Sequence, residues 1–147
     1  MKPLRPYLYH AYYNWIVDND NTPYLLVNAE YPDVDVPKEF IREGKIILNI
    51  SPRSIGQYVV NDEAICFNAR FQGMLRDVYV PFGATEAIYA QESGEGIMFQ
   101  EEVYYSEIEY MERTKVHASN NTKKKSTHLK FCLLYTSQKK KTTCHIG

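Results

Sequence analysis

Apolar side chains recur at helical spacing near the start of the chain. Leu8, Ala11, Tyr12, Trp15 and Ile16 fall on one side of a helix predicted over 6–19, because spacings of three and four bring side chains onto one face. Pro6 suits a first helical position, where its fixed φ helps and its missing donor is not needed. Asn19, Asn21 and Pro23 stop the helix. The face is broad and aromatic. It either covers the core or meets the same helix of a second copy, and the pattern alone leaves both open.

The period then falls to two. Strands are predicted over 24–29, 45–50, 57–60, 63–71 and 74–80. Turns are marked by Tyr31-Pro32-Asp33, Glu43-Gly44, Asn61-Asp62 and Gln72-Gly73. The alternation is clearest over 63–71, where Ile65, Phe67, Ala69 and Phe71 share one face and Cys66, Asn68 and Arg70 share the other. Ala84, Ala87, Ile88 and Gln91 then fit a short helix over 83–92, closed by Ser93-Gly94 and Gly96. Ile97-Met98-Phe99 is a last apolar run. Residues 100–113 are acidic and tyrosine-rich, and no fixed structure is expected of them. The pattern is mainly β: a small barrel or a two-sheet sandwich with an N-terminal helix and one short late helix.

Length and composition fit one domain. The chain has 147 residues, 44% hydrophobic, with 3 Cys, which excludes a collagen, a disulfide scaffold and a wholly disordered chain. The longest apolar stretch is too short for a membrane span. No secretory signal is read at the N-terminus, so the cytoplasm is the expected compartment. Charge changes the picture more. Residues 1–113 hold all 18 acids and 9 of the 17 bases, a balance of −9, whereas 114–147 hold 8 Lys and no acid. Such a step marks a folded body followed by a tail. An acidic body is a poor surface for nucleic acid, whose phosphates need Lys and Arg.

A catalytic centre is not found. His10 is the one histidine of the body and sits inside the first helix, where packing is a better account than general-base chemistry. There is no Gly-x-Ser-x-Gly elbow and no Cys–His pair in the body. His128, Cys132, Cys144 and His145 carry zinc-binding atoms, but their spacing is not that of a common finger, and no metal or other cofactor is expected. The face Phe67, Ala69, Phe71 does stand out. A small residue between two large ones leaves a notch that can admit a peptide side chain, although the pattern alone favours a bulky core neighbour, since most strand faces simply pack.

Several strings taken together carry a resemblance. They are Arg5-Pro6-Tyr7-Leu8, Ala11-Tyr12-Tyr13-Asn14-Trp15, Asp18-Asn19, Thr22-Pro23 and Val36-Pro37. Ile47-Leu48-Asn49-Ile50, Asn61-Asp62, Asn68-Ala69-Arg70-Phe71-Gln72-Gly73, Ala87-Ile88-Tyr89-Ala90, Glu92-Ser93-Gly94 and Met98-Phe99 complete them. In order, from Arg5 to about Glu102, they resemble the SspB (stringent starvation protein B) family of bacterial adaptors for the ClpXP protease.

The resemblance implies an Sm-like, mostly β fold and a homodimer joined through Leu8, Ala11, Tyr12, Trp15 and Ile16. It implies a groove at Phe67, Asn68, Ala69, Arg70 and Phe71 that binds the ssrA tag, added by transfer-messenger RNA during ribosome rescue. It implies no enzymatic activity. A substrate-binding and dimerisation domain is expected over 1–102 and a flexible tail over 103–147, Lys-rich after 114. Family tails are acidic and end in a motif that docks on ClpX. Here Lys123-Lys124-Lys125 and Lys139-Lys140-Lys141 stand instead, and Leu129 and Lys130 are at best a remnant of the docking motif. The departure is read as a frameshift, a truncated gene or a sequencing or cloning scar after about Leu129. That puts delivery in doubt but not tag binding. The alternative is a small Sm-like nucleic-acid-binding protein using the basic tail, whose binding would fall steeply with salt.

Overall fold

The computed structural model describes residues 1–118. Leu129, Lys130 and the set His128, Cys132, Cys144 and His145 lie outside the described residues. Helix α1 spans Arg5–Asp18, with Pro6 in its first turn. The strands that follow are β1 (Pro23–Asn28), β2 (Lys45–Asn49), β3 (Ile55–Val60), β4 (Ala64–Phe71), β5 (Met74–Pro81), β6 (Thr85–Ala90) and β7 (Gly96–Met98), and α2 spans Glu107–Ala118. Short 3-10 turns lie at Lys38–Phe40, Phe82–Ala84 and Val103–Tyr105.

The strands make two antiparallel sheets, one in the order β2-β1-β6-β7 and one in the order β3-β4-β5. The fold is therefore mainly β and of the two-sheet kind, with no closed barrel among the described residues. Gln72 and Gly73 join β4 to β5 with φ of 51° and 83°. Both central residues being left-handed gives the turn whose twist matches that of its strands. It sets Phe71 against Met74 and Ala69 against Arg76. In β3, Gln57 and Tyr58 oppose the single residue Phe67, a bulge in which Gln57 takes a φ of 48°.

Two expectations need correction. Residues 83–92 are not a helix: β6 lies there, between β1 and β7. Buried residues fall on both faces of β6, Thr85 and Ala87 on one and Ile88 and Ala90 on the other, so polar residues do not alternate and Ala84, Ala87 and Ile88 mimic a helical stripe. Ser93, Gly94 and Gly96 turn β6 into β7 instead. Gly96 is required by close packing, since a Cβ there would lie 2.1 Å from the Ile88 carbonyl oxygen. The late helix exists, but at Glu107–Ala118.

Residues 100–113 are likewise structured. Tyr105 and Tyr110 are buried in the main core. The Tyr110 hydroxyl donates to Asp33 Oδ2 at 2.7 Å, and the Arg113 guanidinium lies 3.7 Å from the centre of the Tyr104 ring. Upstream, Glu102 caps α1 by accepting from the backbone N–H groups of Leu4 and Arg5, at 2.9 and 3.1 Å. A carboxylate at a helix N-terminus also meets its positive end. Buried Arg5 donates to the carbonyls of Phe82, Thr85 and Gln100, at 2.8–2.9 Å. Its guanidinium stands 4.7 Å from the Tyr105 ring. These bonds tie the start of the chain to residues almost a hundred positions later, which no local pattern announces.

Candidate functional site

Helix α1 carries two apolar faces. Tyr9, Tyr13 and Ile16 face inward and are buried. Tyr13 stacks on Tyr58 of β3 at 5.5 Å, and the Tyr9 and Tyr58 hydroxyls share a hydrogen bond of 2.7 Å. Burial pushes the Tyr9 hydroxyl well above its ordinary titration range, and Tyr58 adds to this. Of the five residues expected on one face, Leu8, Ala11 and Trp15 turn outward, in line with Leu4, while Tyr12 is half-buried against the core. Ile16 is 2% exposed and belongs to the core. A rotation of about 100° per residue separates the rows 4, 8, 11, 15 and 9, 13, 16. The inward row was missed because tyrosine reads as half polar. Trp15 stays 45% exposed, and its ring meets Tyr12 edge-on at 5.8 Å. His10 is exposed on the helix, with its ring edge-on to Tyr9.

Strand β4 divides its five candidates between two faces. Phe67, Ala69 and Phe71 look inward. Asn68 and Arg70 look to the opposite side, as alternation demands. Asn68 lies over Gly56, where a Cβ would stand 2.7 Å from its Oδ1. Arg70 donates to the Gly73 carbonyl at 3.3 Å and so braces the hairpin turn.

Along the inward row the packing changes. Phe67 is 4% exposed and Ala69 8%, whereas Phe71 is half-buried. Ala69 is flanked by Ile55 on β3 and by Arg76 on β5. Phe71 is paired with exposed Met74, and its ring lies 5.6 Å from that of Phe40 on the Lys38–Phe40 turn. Phe40, Ile41, Ile55 and Phe71 are all half-buried against the core. Ile55 pairs with buried Ala69, and Phe40 meets Phe71, so the apolar surface becomes partly exposed just beyond Ala69.

Charge stands at its edge. Arg76 Nη1 donates to Glu39 Oε2 at 3.1 Å. A hydrogen bond to its own backbone holds the Glu39 carboxyl below the usual carboxylate range, and the bond from Arg76 adds to this. Sequence reading missed Arg76, although the two-residue turn that pairs 71 with 74 also pairs 69 with 76. It missed Glu39 and Phe40 because they come from a separate segment. Among the described residues no three His, Cys, Asp or Glu side chains gather as a metal site would require. The arrangement offers a partly exposed apolar surface with a charged edge.

Comparison with known proteins agrees with the architecture. The family described as stringent starvation protein B matches residues 3–143. The stringent starvation protein B homolog of Haemophilus influenzae is 50% identical over 106 residues, which cover 72% of this chain and 71% of that one. The chain therefore belongs to the stringent starvation protein B family.

Proposed function

We propose that this protein is a non-enzymatic adaptor that binds ssrA-tagged polypeptides in the opening around Ala69 and delivers them to the ClpXP protease. Family membership supports the adaptor class. The observation that carries the site is the change along β4, where buried Phe67 and Ala69 give way to half-buried Phe71, with half-buried Ile55 and Phe40 as neighbours. A tag of small and amide-bearing residues fits such an opening, and Phe67 forms its floor. The outward row of α1 is the proposed homodimer contact, since a line of exposed Leu4, half-buried Leu8, and exposed Ala11 and Trp15 is covered cheaply by a second copy. Substrate binding and dimerisation thus belong to the folded body, and the residues after it act as a tether. A tether to the unfoldase raises the local concentration of substrate to about the millimolar range. These events take place in the cytoplasm.

The test is a titration of a fluorescent ssrA-type peptide, read by anisotropy, against the protein and its Ala69→Gln variant. Saturable binding that weakens at least about 100-fold on substitution, an effect of about 2.7 kcal/mol, is expected, with the far-ultraviolet circular dichroism of the two proteins alike. Absence of binding by the folded, unaltered protein would sink the proposal.

A further inference from the structure

Arg76 and Ala69 are direct partners across β4 and β5, so their side chains rise from the same face of the sheet. Arg76 is thus a wall of the opening. Its companion, Glu39, stands on the same three-residue turn as Phe40, whose ring meets that of Phe71. One short segment therefore contributes both the ring and the carboxylate.

The pair is loosely held. The Glu39 side chain is 60% exposed and that of Arg76 38%. The contact given is a single Nη1–Oε2 bond, although a guanidinium has five donors in a planar fork that takes a carboxylate two bonds at a time. A solvent-exposed pair of this kind is weak and readily exchanged. Arg42 stands beside it, donating to the Glu39 and Ile41 carbonyls at 2.9 and 3.0 Å. With Lys38 on the same turn, Glu39 is an acid among three bases. Residues 1–113 as a whole carry −9, so long-range charge repels an acidic peptide. A preference for one can arise only from a local cation such as this.

We infer that Glu39 is a built-in stand-in for a ligand carboxylate: a bound peptide sets an acidic side chain on Arg76 and displaces Glu39 from it. The inference rests on the peptide-binding reading of the opening and names the side-chain chemistry that the opening selects. Arg76 is then a specificity-determining residue, and Glu39 its internal competitor. The low-lying ionisation of Glu39 keeps that competitor charged at neutral pH.

The experiment uses fluorescent, C-terminally amidated ssrA-type peptides in which every acid is first replaced by its amide. One Glu is then introduced at successive positions. At one position the Glu peptide is expected to bind about fivefold more tightly than its Gln counterpart, the size of effect that a partly exposed charge pair supports. Arg76→Gln is expected to erase that difference while still binding the Gln peptide. Glu39→Gln is expected to widen it, because the competitor is gone, and added salt is expected to narrow it. Equal binding of Glu and Gln peptides at every position, with both lost in Ala69→Gln, would overturn the inference and leave the groove standing. An unwidened difference in Glu39→Gln would overturn it independently of how well Arg76→Gln folds. Loss of both peptides in Arg76→Gln would make Arg76 a packing residue and overturn it too. Failure of the unaltered protein to bind any of the peptides would remove the groove and the inference together.

Discussion

The two ends of the inward row of β4 have the same backbone and are covered to different extents. Ile65 and Phe67 face Val80 and Val78 on β5 and are buried. Ala69 and Phe71 face Arg76 and Met74; Ala69 is still buried, Phe71 only half so, and the Lys38–Phe40 turn meets Phe71 and Arg76. Alternation of apolar and polar residues is unbroken from one end to the other. What differs is the layer above. A strand's pattern therefore says which face is apolar, while the neighbouring segments decide whether that face is core or opening.

Truncating each ring in turn probes that difference most directly. Phe67→Ala is expected to cost about 3–5 kcal/mol, the usual loss for a buried aromatic that leaves a cavity. Phe71→Ala removes a half-buried ring and is expected to cost about 1–2 kcal/mol, while weakening binding of a tag peptide about tenfold. Urea unfolding gives the first pair of numbers and anisotropy the last. If Phe71→Ala costs as much as Phe67→Ala, the far end is core as well and the contrast fails.

Helix α1 repeats the contrast around its circumference. Its inward row is bound to Tyr58 and Phe82, and its outward row holds exposed Trp15. Trp15→Asp is expected to leave the fold intact and lower the measured mass from two chains to one, since an unpaired charge in an apolar contact costs about 3 kcal/mol or more. A sizing column with light scattering reads this. An unchanged mass of two chains would move the interface away from the helix. Ile16→Asp should instead fail to give stable folded protein, because that residue is core within a single chain.

Local pattern made much of this visible. The turn at Gln72-Gly73, the alternation of β4, and the course of α1, β1 and β2 follow from neighbours a few residues apart. The two-residue turn also held the position of Arg76 opposite Ala69, because hairpin register is arithmetic once the turn is known. Other features depend on distant partners. β6 looked helical because buried residues fall on both its faces. The segment after Met98 looked featureless because its order comes from Arg5, Asp33 and Glu63. Glu39 reaches the opening across 37 positions of sequence. No window of ten or fifteen residues contains such information.

The smallest effect separates the two ends by their response to pH. The covered region is rich in buried tyrosines and the opening is not. Burial pushes the Tyr31 hydroxyl up to about 12, against the pull of Arg113 and Arg5. Tyr104 is pushed up to about 12, by burial first and then by its bond to Glu63. Tyr58, Tyr105 and Tyr110 are also raised, each chiefly by burial. In the unfolded chain these phenols ionise near the ordinary value of about 10. A raised native value means that the folded state keeps protons which the unfolded state has released. The tyrosines' contribution is therefore fully present below about pH 10 and is lost as pH rises through about 12. Urea midpoints should stay level between about pH 7 and 9, as far as the tyrosines are concerned, and fall beyond about 10. Tyr31→Phe and Tyr58→Phe should each flatten that fall, at a cost near neutrality of about 1 kcal/mol for the lost hydrogen bond. Phe71→Ala should lower the whole curve without changing its slope, because that ring meets Phe40 and Met74 rather than the buried tyrosines named above. An equal change of slope in Phe71→Ala would mean that the opening and the tyrosine-rich core unfold as one electrostatic unit, and the division between the two ends would not hold in solution.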